Sequence, residues 1–323
     1  MPVINENSYA PSWIFRSGHL NTIYPYMIRK GIDPGYQRTR LDTPDGDFID
    51  IDTVFNGHKS LAVLCHGLEG SSESKYVQHT CKLLSDNGWD VLCMNYRGCS
   101  GEMNRKVQMY HSGFTADLHF LLEKFEAGYD EIALVGYSLG GNMVLKYIGD
   151  GVLSLSPKIK AAVGISVPCD LHAGSVHISR WENKIYDIRF LKTLKEKIKI
   201  KKKMFPDQVD ISRLNEVKTL FAFDDVYTAP IHGFKDAADY YAQCHCKQFL
   251  ENIEIPSLII TALDDPFFPE ASYPFAEAKN NKNLYFMPTK YGGHVGFVNL
   301  GQQSYWNERQ ILKFINHPDR FNQ

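Results

Sequence analysis

Between Leu61 and Val167 short aliphatic runs alternate with longer segments of helical period, and this alternation leaves the chain few possible folds. Leu61–Cys65 reads as a buried strand, Lys75–Leu84 as a helix and Asp90–Asn95 as a strand. Thr115–Phe125 follows as a helix with Leu118, Leu121, Leu122 and Phe125 on one face, then a strand at 131–136, a helix at 141–149 and a strand at Ala161–Val167. A short loop cannot return a chain to a parallel neighbour, so repeated strand–helix units require parallel strands with right-handed crossovers. The expected fold is α/β, a doubly wound, mostly parallel sheet that binds ligands at the carboxyl ends of its strands. Ahead of it, Thr39–Thr43 and Phe48–Phe55 flank Pro44-Asp45-Gly46-Asp47 and predict an antiparallel edge hairpin. Residues 1–35 form a separate N-terminal segment; Trp13–Arg29 shows no clean period, and Asp33-Pro34-Gly35 breaks whatever precedes it.

Leu258–Ala262 and Leu284–Met287 continue the strands, so the core is expected over 36–171 and 256–323 of a single domain. The chain has 323 residues, 44% of them apolar, enough for one α/β core with an insertion. Roughly ninety residues lie between Pro168 and Pro256, too many for a bare connection, and a helical cap over about 172–255 is expected there. Trp181–Lys197 and Ser212–Phe221 suit its helices, with breaks at Phe205-Pro206-Asp207 and Ala229-Pro230. Such a cap excludes water and shapes the pocket beneath it.

A net charge of -2 gives no bulk attraction to nucleic acid. No run of 18 apolar residues exists, and Asn5, Glu6 and Asn7 stand where a signal peptide needs an apolar core, so a soluble cytoplasmic protein is expected. Seven cysteines, odd in number and set mostly in apolar runs, read as reduced core thiols. Cys244-His245-Cys246 lacks a second ligand pair, so no metal is assigned, and nothing calls for a cofactor. The basic run Lys192–Lys203 reads as a solvated face; the alternative is weak contact with acidic lipid through Lys199, Lys201, Lys202 and Lys203. His111 and Arg97 follow the Asp90–Asn95 strand, to organise loops or to touch substrate.

Gly136-Tyr137-Ser138-Leu139-Gly140 joins the 131–136 strand to the next helix. Side chains two before and two after the serine would collide in so sharp a turn, and glycine removes both. With three fixed positions each ~7% probable, the pentapeptide arises by chance in roughly one chain in ten of this length, so its context must decide. The strand Leu61–Cys65 ends in His66-Gly67-Leu68-Glu69-Gly70, a loop able to aim amides at the same crevice. The Leu68 and Leu139 N–H groups are the candidate oxyanion donors. Leu258–Ala262 delivers Asp264 and Asp265 at its carboxyl end, and Leu284–Met287 leads to His294 between small residues. Ser138 is the candidate nucleophile, His294 the base and Asp265 the orienting carboxylate, with Asp264 the alternate.

On these motifs the chain resembles the α/β-hydrolase superfamily, and within it the YheT-like branch of predicted esterases. The branch motifs are Ser17–Ile23, His66–Ser71, Asn95–Gly98, Tyr110–Gly113, Gly136–Asn142, Phe223–Asp225, Thr228–Pro230, Gly233–Phe234, Tyr240–Tyr241, Asp264–Pro266 and Gly292–Phe297. The resemblance spans ~13 to ~315. It implies carboxylic esters of medium-chain or phospholipid type, and fungal relatives make or cleave fatty acid ethyl esters; some eukaryotic relatives add an amino-terminal membrane anchor. Residues and resemblance together lead to a serine hydrolase of short- to medium-chain acyl esters. The alternatives are an alcohol acyltransferase in the same site and a non-catalytic ligand-binding module.

Overall fold

The structure is a computed structural model describing residues 3–5 and 9–322; the polar pair Glu6 and Asn7 lies outside the described residues. Eight strands form one sheet: β1 Gln37–Asp42, β2 Phe48–Val54, β3 Ser60–Cys65, β4 Trp89–Asn95, β5 Glu131–Tyr137, β6 Ile159–Ile165, β7 Ser257–Ala262 and β8 Leu284–Thr289. Their order is β1-β2-β4-β3-β5-β6-β7-β8, and every pairing from β4 to β8 is parallel. The hairpin of β1 and β2 joins β4 antiparallel. Six helices matter for the site: α1 Gly18–Met27, α2 Lys75–Ser85, α3 Ala116–Phe125, α4 Leu139–Gly149, α5 Leu171–Ile178 and α6 Lys184–Met204. The α/β expectation and its mostly parallel sheet are therefore met.

From β3 to β8 the strands read as largely apolar runs because both faces of that part of the sheet are covered, whereas the edge strand β1 is polar and exposed. Along β5, Ile132 and Leu134 enter one core layer while Ala133, Val135 and Tyr137 enter the other. The register sets Cys65 beside Gly136, Gly136 beside Gly164 and Ile165 beside Ile260, which levels the carboxyl ends of four strands at one crevice. β2 is buried throughout, and its Asp50 and Asp52 are bridged at 2.8 Å by Arg40 and Arg38 of the edge strand β1. Arg97 is likewise buried, bonding Asp117 at 2.6 Å and Asp45 at 2.8 Å, so it ties β4 to the hairpin turn and organises loops.

Four sequence expectations need correction. Trp13–Arg29 holds α1, whose buried residues are Gly18 and Asn21 rather than an apolar stripe, so the helix leaves no hydrophobic period. Ser212–Thr219 is a series of turns pinned by buried Leu214 and Val217, and a short helix starts only at Leu220 behind its Thr219 cap. Ala229-Pro230 does not break the chain. Helical backbone continues from Leu220 to His232 through a π-turn at Asp224–Thr228, where the widened backbone accepts a proline near the start of the next turn. Lys201 is fully buried and donates to the Asn104 side chain at 2.7 Å and to the Lys106 carbonyl, which removes it from the solvated run. Burial lowers its pKa to about 8. Lys199 and Lys203 remain exposed. Among the described residues no helix is long and apolar enough to cross a membrane.

Candidate active site

The turn between β5 and α4 follows from its glycines. Ser138 alone separates Tyr137 from Leu139, with φ 51°, a left-handed conformation rare for a side-chain-bearing residue. A Cβ on Gly136 would strike the Gly140 carbonyl, and one on Gly140 would strike the Cys65 and His66 carbonyls. The Ser138 amide donates to the Ile165 carbonyl at 2.8 Å, holding the strained turn against β6.

His294 reaches the serine on a loop after β8. Its Nε2 lies 2.9 Å from Ser138 Oγ and its Nδ1 2.9 Å from Asp265 Oδ2. Asp265 is fully enclosed, and its other oxygen accepts the Phe267 amide at 2.9 Å. A carboxylate at Nδ1 requires the proton there, which leaves the Nε2 lone pair facing the serine hydroxyl. The Phe267 ring stacks on the imidazole at 3.9 Å and 16°, and Phe268 meets it edge-on at 5.3 Å.

Asp264 does not reach the imidazole. Its Oδ1 accepts the Gly293 amide at 2.8 Å, its Oδ2 is buried without a partner, and burial raises its pKa to about 6. The N-terminal segment completes this brace. Thr22 Oγ1 donates to the Gly18 carbonyl at 2.7 Å and accepts the His294 amide at 2.8 Å. Asn21 accepts the Val298 amide at 2.9 Å, and the Ser166 hydroxyl accepts the Val295 amide at 2.9 Å. Gly18, Gly293 and Gly296 permit this contact, since a Cβ on any of them would overlap backbone of the opposing segment. Residue-by-residue reading missed Thr22, Asn21 and Ser166; only the branch motif Ser17–Ile23 marked the first two.

The loop after β3 passes close over the serine: a Cβ on Gly67 would sit 3.2 Å from Ser138 Cβ. His66 takes an amide proton from Tyr96 on Nε2 at 3.3 Å and donates from Nδ1 to the Gly67 carbonyl at 2.7 Å. Burial drives its pKa down to about 3, so it is a neutral strut. Glu69 adopts φ 55°; its amide donates to the Tyr110 hydroxyl at 2.9 Å, and its carboxylate accepts from Tyr110 and Lys197, both at 2.7 Å. The Leu68 and Leu139 amides make no hydrogen bond among the described residues.

A cleft of about 1040 Å³, partly open to solvent, lies over Ser138 between the sheet and the segment joining β6 to β7. Leu171, Ile178, Phe190, Leu194 and Ile198 make its wall largely apolar. Asp224 is its one acidic wall residue from that segment, bonded by Thr228 at 2.6 Å and Tyr241 at 2.7 Å, with burial lifting its pKa to about 6. His111 lines the cleft beside His232, and burial keeps both rings neutral. All seven cysteines are unpaired. Cys244 and Cys246 use their backbone instead: the Asn142 side chain donates to the Cys244 carbonyl at 2.9 Å and accepts the Cys246 amide at 2.8 Å.

Comparison with known proteins agrees with this architecture. A family model described as the α/β hydrolase fold matches residues 63–299. YheT of Escherichia coli (strain K12), a candidate esterase by name, is 37% identical over 325 residues, covering 96% of this chain and 95% of its own. The bovine phospholipase ABHD3 is 27% identical over 330 residues, 97% of this chain and 79% of its own. Among solved structures, the Pyrococcus furiosus esterase Pf2001 superposes with a TM-score of 0.56 at 13% identity, over 87% of this chain and 92% of that one. With its family model, its YheT-like kinship and its eight-stranded sheet in agreement, the chain belongs to the YheT-like branch of the α/β-hydrolase family and is a hydrolase.

Proposed function

We propose that the protein cleaves carboxylic esters of short- to medium-chain acids through an acyl-enzyme on Ser138, without a cofactor. The observation that carries this reading is the hydrogen-bonded series Ser138–His294–Asp265 beneath an apolar cleft. His294 Nε2 takes the hydroxyl proton as Ser138 Oγ attacks the ester carbonyl, and Asp265 stabilises the imidazolium without itself being protonated. The Leu68 and Leu139 amides receive the oxyanion; one such donor is worth ~3 kcal/mol of barrier. His294 then protonates the departing alkoxide, and water activated by the same nitrogen releases the acid. The Phe267 stack and the enclosure of Asp265 hold the imidazole still through both half-reactions.

Ser138→Ala should lower kcat toward p-nitrophenyl acyl esters by about 10⁶-fold and abolish labelling by a fluorophosphonate probe. Turnover or labelling that survives this substitution would remove Ser138 from the chemistry. A wild-type protein that neither labels nor turns over any member of an acyl-length series is a binding module instead.

A further inference from the structure

Helix α6 has two unlike faces. Phe190, Leu194 and Ile198 on the inner face roof the cleft. On the outer face Trp181, just ahead of the helix, is 87% exposed, Ile185 62% and Ile188 59%, and Lys192, Lys199 and Lys203 continue the same stripe, all exposed. None of these three ammonium groups meets a carboxylate among the described residues. α1 lies alongside the apolar half, joined by a 3.0 Å hydrogen bond between His19 and Tyr186 and by the Arg189 guanidinium 3.6 Å from the Tyr26 ring centre. It adds exposed Tyr26 and Met27.

Monomeric proteins rarely leave so many large apolar side chains together in water, and a concentration of them marks an interaction surface. We propose that this face docks on an anionic lipid surface. The apolar half, led by an amphipathic tryptophan, suits the boundary between headgroups and acyl chains, and the unpaired lysines beyond it suit lipid phosphates. Since the inner face of α6 roofs the cleft, docking through its outer face would set the cleft one helix away from the bilayer. Binding itself does not depend on the catalytic reading, so the two can fail separately.

The full chain is tested by co-sedimentation with phosphatidylcholine vesicles and with vesicles containing about a third phosphatidylglycerol, at low and at physiological salt. The expected result is salt-sensitive binding to the anionic vesicles only. Lys192→Glu/Lys199→Glu/Lys203→Glu should weaken it about 100-fold or more, at ~1 kcal/mol per lysine. Ile185→Ser/Ile188→Ser should weaken it at least about tenfold. Both variants should keep the wild-type rate of fluorophosphonate labelling and of turnover of a water-soluble ester, which shows that they fold. Equal binding by wild type and the glutamate variant, equal binding to neutral vesicles, or no binding at low salt overturns the proposal. Self-association in sedimentation velocity that Ile185→Ser/Ile188→Ser abolishes also overturns it, by making the face an interface between copies.

Discussion

Asp264 and Asp265 show how far one position moves a carboxylate's duty. Asp265 is enclosed at His294 Nδ1, while Asp264 faces back toward the loop amide of Gly293 with one buried oxygen unpartnered. Burial lifts the Asp264 pKa to about 6, so the folded state binds its proton more tightly than the unfolded chain, where the ordinary value is 3.8. A raised acid pKa stabilises the fold below both values and withdraws that stabilisation as pH rises from about 4 to about 6. Asp264→Asn has no such titration and keeps an acceptor for Gly293. Between pH 4 and pH 7 its unfolding free energy should gain on wild type by up to about 2 kcal/mol, less than the full ~1.4 kcal/mol per unit because water reaches part of the group. Denaturant titrations at the two pH values measure the difference, and a flat difference means Asp264 is not strained by burial. Thr22 makes the companion test. Thr22→Val strips the acceptor from the His294 amide, at ~1 kcal/mol for a part-buried bond, and should lower kcat at least about tenfold as the imidazole loses its register. Thr22→Ser should restore most of it; an unaffected Thr22→Val would show that the loop is held by Asp264 and Ser166 alone. The sequence offered these two residues unequally. Asp264 was a candidate because it ends a strand, whereas nothing in the composition of Trp13–Arg29 linked Thr22 to a loop some 270 residues later.

At the level of elements, the repeating core was readable because its parallel strands are apolar on both faces and α3 carries one apolar stripe, while α4 is apolar and buried nearly all round. The parts that were not readable obey other rules. α1 packs through Gly18 and Asn21, the π-turn keeps Pro230 inside a helical run, and Lys201 ends buried because its ammonium finds three acceptors around Asn104 and Lys106. These outcomes depend on tertiary partners that no local period encodes. The loop after β3 is the clearest case, since its glycines were legible as a turn but its fastening to α6 was not. Glu69 holds a left-handed backbone next to Leu68, and its carboxylate is gripped by Tyr110 and Lys197. Removing the cation leaves a nearly buried carboxylate unpaired and frees the loop to relax away from the serine. If the proposed reaction holds, Lys197→Met should lower kcat about 10- to 100-fold with KM little changed, because a misplaced oxyanion donor would act on the transition state more than on the bound ester. Lys197→Arg should recover much of the rate. A loss carried entirely by KM would instead assign Lys197 to substrate binding.

For the whole molecule, the arrangement joins a rigid base to a roof whose lining sets what enters. Asn142, on the first turn of α4 behind Ser138, donates to the carbonyls of Ser112 and Cys244 and accepts the amide of Cys246, so one side chain binds the loop after β4 and the end of the inserted segment to that helix. α6 crosses above, fixed at its far end by Lys201 and near its middle by Lys197. Between these anchors Phe190, Leu194 and Ile198 hang into the cleft, and in the proposed reaction the acyl chain lies along them. Each methylene that loses apolar contact costs ~0.8 kcal/mol, close to fourfold in kcat/KM. Leu194→Trp fills part of this path from above and leaves Ser138 and His294 unsubstituted. Turnover of an acetyl ester should stay within about twofold of wild type, while kcat/KM for successive longer esters should fall progressively once the chain meets the indole. Ile198→Ala, which opens space at the same wall, should move the optimum toward longer chains. A uniform loss at every chain length in both variants would mean that the cleft under α6 does not receive the acyl group, and that selectivity resides on the alcohol side of the ester.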